Sequence, residues 1–184
     1  MDRFSFIMAL LSIIVGLGLT ELLTNIARQI KLRRTIKSYW VQSVLAATIF
    51  IALLQQWWEA WGLQRIDDWS FPILLIMLGG PVGLYIIANM LFPEDLNDAD
   101  IEAHYYANAR AIWIIAMFTV VTSVLFRPLS FGDNLFVMDN ANSAVLLAIF
   151  AALAITKNHI VHAITAVIML VLVLGDILAF NLTI

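Results

Sequence analysis

Glu21, Asn25 and Arg28 lie four and three residues apart inside an otherwise apolar run, Phe4 to Ile30, so a helix projects all three from one face. A carboxylate carried into hydrocarbon is costly unless it is paired, protonated or wetted. Glu21 therefore needs either a polar path, with proton or ion chemistry, or neighbouring helices that supply its hydrogen bonds. Asp176, in the last apolar run, is a second acid of this kind. Asn89 falls at a depth comparable with Glu21, and Arg110, in the same half of the membrane, is a candidate counter-charge.

Gln55 and Glu59 are one helical turn apart, beside Trp57, Trp58 and Trp61. Those residue types suit an aromatic cage for a cation, and equally an interfacial carboxylate in an aromatic belt. His159 and His162 could begin a metal site, yet no cysteine, further histidine or carboxylate nearby completes the set, so neither metal nor haem is expected. His162 then reads as structural or as part of the inner polar group. The acidic run Glu94 to Glu102 fails the calcium-loop register, because Ala99 stands at the fifth position when the loop starts at Asp95. No catalytic set emerges, no cofactor is implied, and the chain reads as a non-enzyme.

Helices must carry these groups. A crossing of the hydrocarbon core takes roughly 20 mainly apolar residues, and six runs come near that length: 4–30, 40–63, 69–92, 105–126, 141–157 and 159–181, the fifth being short. The fold expected is all-α, a single integral membrane domain of about six transmembrane helices. Arg28, Lys31, Arg33, Arg34 and Lys37 crowd the first loop, which places it on the cytoplasmic side and both termini outside. The acids after Pro93 fall on the same side as that loop, with Asn97 or Asp98 expected to cap the fourth helix. Trp57, Trp58, Trp61 and Trp69 mark one headgroup level, and Trp40 and Trp113 the other. On the first helix, Met8, Leu11, Val15, Leu19, Leu22 and Ile26 form the stripe expected to meet lipid, while Ser12, Gly16, Thr20 and Thr24 form a small-residue row for close helix approach. Gly79-Gly80-Pro81 predicts a kink in the third helix. The first run is too long, and its flanks too basic at the wrong end, for a cleaved signal.

Composition agrees with a bilayer protein. Of 184 residues 62% are hydrophobic and 12% charged, and the mean hydropathy is +0.94; a water-soluble domain carries about a quarter charged residues. The net charge of -3 argues against nucleic acid as a partner, and the absence of cysteine excludes disulfides, iron–sulfur clusters and thiol catalysis.

The run Ser12-Ile-Ile-Val-Gly16-Leu-Gly18-Leu-Thr20-Glu21, the pair Tyr39-Trp40, the stretch Gln56-Trp57-Trp58-Glu59-Ala60-Trp61-Gly62 and His104-Tyr105 together resemble a family of small bacterial integral membrane proteins. The resemblance covers about the first 110 residues, implies a bacterial inner-membrane location and carries no activity. The Phe-Ser-Asp signature of six-helix lysosomal and bacterial potassium channels is missing, since Phe4-Ser5 is followed by Phe6. Three readings follow. The first is a small homo-oligomeric channel or transporter with Glu21, Asn25 and Asp176 on a polar path. The second is a non-catalytic accessory or scaffold subunit in which the same groups lock helices to one another or to a membrane-protein partner. The third, a membrane enzyme built on Glu21, His159 and His162, is the weakest.

Overall fold

The computed structural model describes residues 3–66, 69–97, 99–131 and 138–180. Their apolar runs are helices: α1 (Arg3–Lys31), α2 (Trp40–Glu59) continued by a 3-10 segment (Ala60–Arg65), α3 (Phe71–Met90), α4 (Ile101–Phe131), α5 (Met138–Ile155) and α6 (His159–Phe180). Among the described residues there is no strand, and five helices are long and apolar enough to cross a membrane; the apolar part of α5, Ser143–Ile155, is shorter. The turn signal Gly132-Asp133-Asn134 in the sequence lies outside the described residues.

Local chemistry sets the helix ends. The Ser70 hydroxyl accepts from the Ile73 N–H at 3.5 Å, with Pro72 in the first turn of α3. Asn158 Oδ1 accepts from the Ile160 N–H at 2.9 Å and caps α6. Asn97 does not cap α4, and Asp98 lies outside the described residues. Asp100 takes the role, its Oδ1 accepting from the Ala103 N–H at 3.0 Å, while the Asp95 carboxylate turns back on Asn97 at 2.9 Å. The shift follows from tertiary pairing. Lys37 N–H donates to Ala99 O at 3.1 Å, Ile101 N–H donates to Lys37 O at 3.2 Å, and Lys37 Nζ meets Asp100 Oδ2 at 3.3 Å, so the basic and acidic loops clasp as their charges suggest. Arg28 adds a bond from Nη2 to Glu94 O at 3.3 Å.

Helix α3 packs most closely on α4, and α1 bridges α3 and α2. Among the described residues α5 lies mainly on α4 and α6 on α2, rather than α5 and α6 on each other, although only three residues join them. On α1 the expected faces are reversed. Leu11, Val15 and Leu22 are buried in the core, with Met8, Leu19 and Ile26 packed against it, whereas Ser12, Thr20 and Thr24 are exposed. Lipid tails are as apolar as the core, so an all-apolar stripe fits either. Close approach falls to Gly18, where a Cβ would lie 2.8 Å from Leu53 Cδ1.

Helix α3 runs unbroken through Pro81. Its glycines serve contact: a Cβ on Gly79 would lie 2.6 Å from Thr122 Cγ2, and Gly83 abuts Thr119. Both threonines return their hydroxyls to their own helix, Thr119 to Ile115 O at 3.0 Å and Thr122 to Thr119 O at 2.8 Å, which spares the crossing any unpaired donor.

Gly79→Ala is expected to lower bundle stability by about 1–3 kcal/mol through overpacking, measured as unfolding in mixed micelles. Gly16→Ala, where nothing lies within 4 Å of the added methyl, is expected to cost nothing; equal losses in both would contradict the crossing. The Asp100 carboxyl is held below its ordinary value of 3.8 by the Ala103 N–H and then by Lys37. Its stabilising effect is complete above that ordinary value and fades as pH falls below it toward the lowered one. Asp100→Asn, which can still cap α4, should flatten that part of the stability-versus-pH curve.

Candidate functional site

Three polar groupings occupy different levels of the bundle. The first is an amide lock around Glu21. Asn25, buried one turn along, donates from Nδ2 to Glu21 Oε1 at 2.7 Å and to Glu21 O at 3.0 Å. Asn89 on α3 donates to the same Oε1 at 3.2 Å. Arg28 reaches Asn25 Oδ1 at 3.4 Å, not Glu21 itself. The carboxylate is thus half-buried and tied to α3, and it lines none of the cavities described below. Arg110 is exposed on α4, and Glu21 takes Asn25 and Asn89 in its stead.

The second grouping fills the basic end between α2, α4 and α6. His162 is fully buried; its Nε2 lies 3.0 Å from Thr156 O and its Nδ1 2.8 Å from the Tyr105 hydroxyl. A carbonyl only accepts, so Nε2 carries the proton and Nδ1 accepts from Tyr105. Both nitrogens are then engaged in a neutral ring, and among the described residues no cluster of three or more histidines or acids could hold a metal. Tyr39 and Tyr106 share a hydroxyl contact at 3.0 Å, and burial first, then the Tyr106 hydroxyl, push the Tyr39 phenol up. His159 faces Glu102 at 2.7 Å and stacks on Tyr106. Gln42, wholly buried, donates to Leu91 O at 3.4 Å.

The third grouping is the candidate site. A cavity of about 330 Å³ lies between α2, α3, α4, α5 and α6, walled by apolar side chains such as Leu45, Ile49, Ile112, Trp113, Phe150 and Met169. Gln55, Gln56, Glu59 and Ser123 form its polar end, and Gln56, Glu59 and Ser123 also line a second space of about 710 Å³ that includes Arg65, Gly80 and Thr122. The two spaces therefore adjoin. Gln55 Nε2 donates to Glu59 Oε1 at 3.0 Å and also to Asp176 Oδ2, so one amide holds two carboxylates from α2 and α6. Gln56 rests against Gly80, and its Oε1 is buried without a donor. Trp113, only 3% exposed, packs on Phe150 with ring centres 5.1 Å apart, and its indole N–H is directed at the Tyr105 hydroxyl.

Glu21, Asn25, Arg28 and Asn89 thus come together, Gln55, Glu59 and Asp176 come together elsewhere, and His162 joins neither. The aromatic cage does not form: Trp57, Trp58 and Trp61 face outward, Trp57 donating to Ser12 Oγ at 2.9 Å and Trp61 meeting Phe4 edge-on. Trp113 belongs to the core and not to a headgroup belt. Sequence reasoning missed the roles of Gln42, Gln56, Tyr105 and Trp113; an amide or indole inside an apolar run was the available signal. No protein-family model, curated protein or solved structure matches the chain.

Glu21→Leu leaves the Asn89 amide without its acceptor and Asn25 with only the residue-21 carbonyl, and should cost about 1–3 kcal/mol, read as the unfolding midpoint in mixed micelles. Glu21→Gln keeps a carbonyl acceptor and should cost clearly less. If the two variants are equally damaging, the lock is not made through Oε1.

Proposed function

We propose that this chain is a multi-pass membrane protein of the channel or transporter class, working through a vestibule that opens at the end bearing Trp57, Trp58 and Trp61. The observation that carries the reading is the cavity itself: apolar in depth, with amides and carboxylates at one end and a second space adjoining that end. Toward the basic end, the packed side chains of Tyr39, Tyr105, Tyr106 and His162 act as a plug. A vestibule closed at one end is what an alternating-access protein presents in one of its states. The excess of Lys and Arg at the plugged end makes that end cytoplasmic, with six crossings, both termini outside and the vestibule facing out. The resemblance named above favours a bacterial inner membrane, and a bundle this small favours assembly as a homo-oligomer.

Glu21 has a different part in this reading from the one its position suggests. Bound by two amides and not part of the cavity wall, it holds α1 to α3. That observation favours the second reading, a membrane-embedded accessory subunit, in which the polar groups serve assembly alone.

The chain has no cysteine, so single thiols report water access cleanly. Ala116→Cys and Ser123→Cys in oriented proteoliposomes should react with a membrane-impermeant maleimide from the tryptophan face, and Leu45→Cys should react slowly from the basic face as the protein cycles. Labelling of Ala116→Cys from neither face, with helicity intact, would leave the accessory reading standing and remove the vestibule.

A further inference from the structure

We infer that the cavity among α2, α3, α4, α5 and α6 is a binding site for a compact uncharged amphiphile of the alcohol class, its hydroxyl head on the Gln56 amide and its apolar body against Ile112, Trp113, Phe150 and Met169. The inference rests on the vestibule reading and adds the class of ligand. About 330 Å³ falls at the lower end of the roughly 300–1,000 Å³ of small-molecule sites, and a wall that is apolar except at one end calls for a ligand of the same pattern.

Hydrogen-bond accounting along the wall chooses the head group. Thr48 donates to Val44 O at 2.9 Å, Thr119 donates to Ile115 O at 3.0 Å, and the Trp113 N–H is directed at the Tyr105 hydroxyl, so that residue offers the cavity only its apolar ring. Glu59 and Asp176 both accept from Gln55 and both have further interactions of their own, so neither acid waits for a cation. An ionic head would enter this apolar space without a counter-charge reserved for it, at a large desolvation cost. Gln56 differs from its neighbours. Its Oε1 is buried without a donor, and its amide rests against Gly80 where the two spaces adjoin. An amide carries an acceptor on one side and donors on the other, and a half-turn about its last bond presents either to the cavity. A hydroxyl answers both, donating to the carbonyl and accepting from the amide nitrogen. An ether accepts only, which leaves the carbonyl as it stands.

The path inward fits such a molecule. Helix α5 packs mainly on α4 and α6 on α2, and Leu146, Phe150, Met169 and Val173 line the cavity from α5 and α6. An uncharged amphiphile dissolved in the bilayer reaches the cavity through the seam between those two helices without carrying a charge through hydrocarbon, which an ionic head would have to do.

The test is calorimetric titration of the full chain in nanodiscs with octanol and its isomer heptyl methyl ether, against protein-free nanodiscs. Octanol should saturate and bind about tenfold more tightly than the ether, the difference expected when a buried carbonyl gains its donor, and neither octanoate nor octylammonium should displace it. Gln56→Met, which keeps an unbranched chain of similar length and removes the amide, should bring octanol down to the level of the ether. Ala116→Phe should abolish binding of both. If Ala116→Phe does not fold, Ala52→Leu narrows the cavity from α2 and should weaken both. Equal affinity for octanol and ether, displacement of octanol by either ion, or an octanol preference that survives Gln56→Met or the filled cavity overturns the site. Octanol preference without any labelling of Leu45→Cys from the basic face keeps the site and removes transport, whereas maleimide access to Ala116→Cys without that preference does the reverse.

Discussion

A polar side chain on a membrane helix must find its hydrogen bonds inside the protein, because the surrounding hydrocarbon offers none. The internal geometry of this bundle follows from that constraint. Asn25 and Asn89 converge on one carboxylate oxygen of Glu21, Gln42 reaches the Leu91 carbonyl, and Thr119 and Thr122 bond back to their own helix. Each bond ties an otherwise interchangeable apolar surface to one neighbour and one register. Where the core and the solvent are both apolar, hydrophobicity gives cohesion without address, and these few amides and hydroxyls supply the address.

Close packing cooperates with the polar bonds. Gly79 and Gly83 bring α3 onto the threonines of α4, and Gly18 brings α1 against Leu53. At the basic end the Lys37–Asp100 clasp and the bond from Arg28 to Glu94 fix two loops that hold the adjoining ends of four helices. Solvent-exposed pairs of this kind contribute little energy; their value here is that backbone bonds between Lys37 and residues 99 and 101 set the geometry.

Helices α5 and α6 depart from this tight arrangement. Each packs on a different partner, and the room left among α2, α3, α4 and their own inner faces is the cavity. The polar end of that space gathers Gln55, Gln56, Glu59 and, through Gln55, Asp176. Structural satisfaction and functional incompleteness are thereby separated in space. The Glu21 and His162 groups have their partners, while Gln56 Oε1, at the cavity wall, lacks a donor. Unpartnered polar atoms inside an apolar protein are rare enough to mark where a ligand or a second state completes the bonding.

The amino-acid sequence by itself determined the helices, because long apolar runs separated by Pro93, by charge clusters and by capping residues such as Ser70 and Asn158 allow little else. It also determined that the basic and acidic loops share one end, and that Asn89 lies level with Glu21, since depth along a helix is read directly from residue number. It could not determine azimuth. Leu11, Val15 and Leu22 turned inward and Ser12 and Thr20 outward because core and lipid solvate an apolar stripe equally well. Tertiary structure alone decided that the two costly acids serve separate groups, Glu21 among amides on α1 and α3 and Asp176 beside Glu59 across α2 and α6. Only the choice of neighbouring helix, made by glycine fit and a handful of directional bonds, distinguishes a carboxylate that locks from one that borders a cavity.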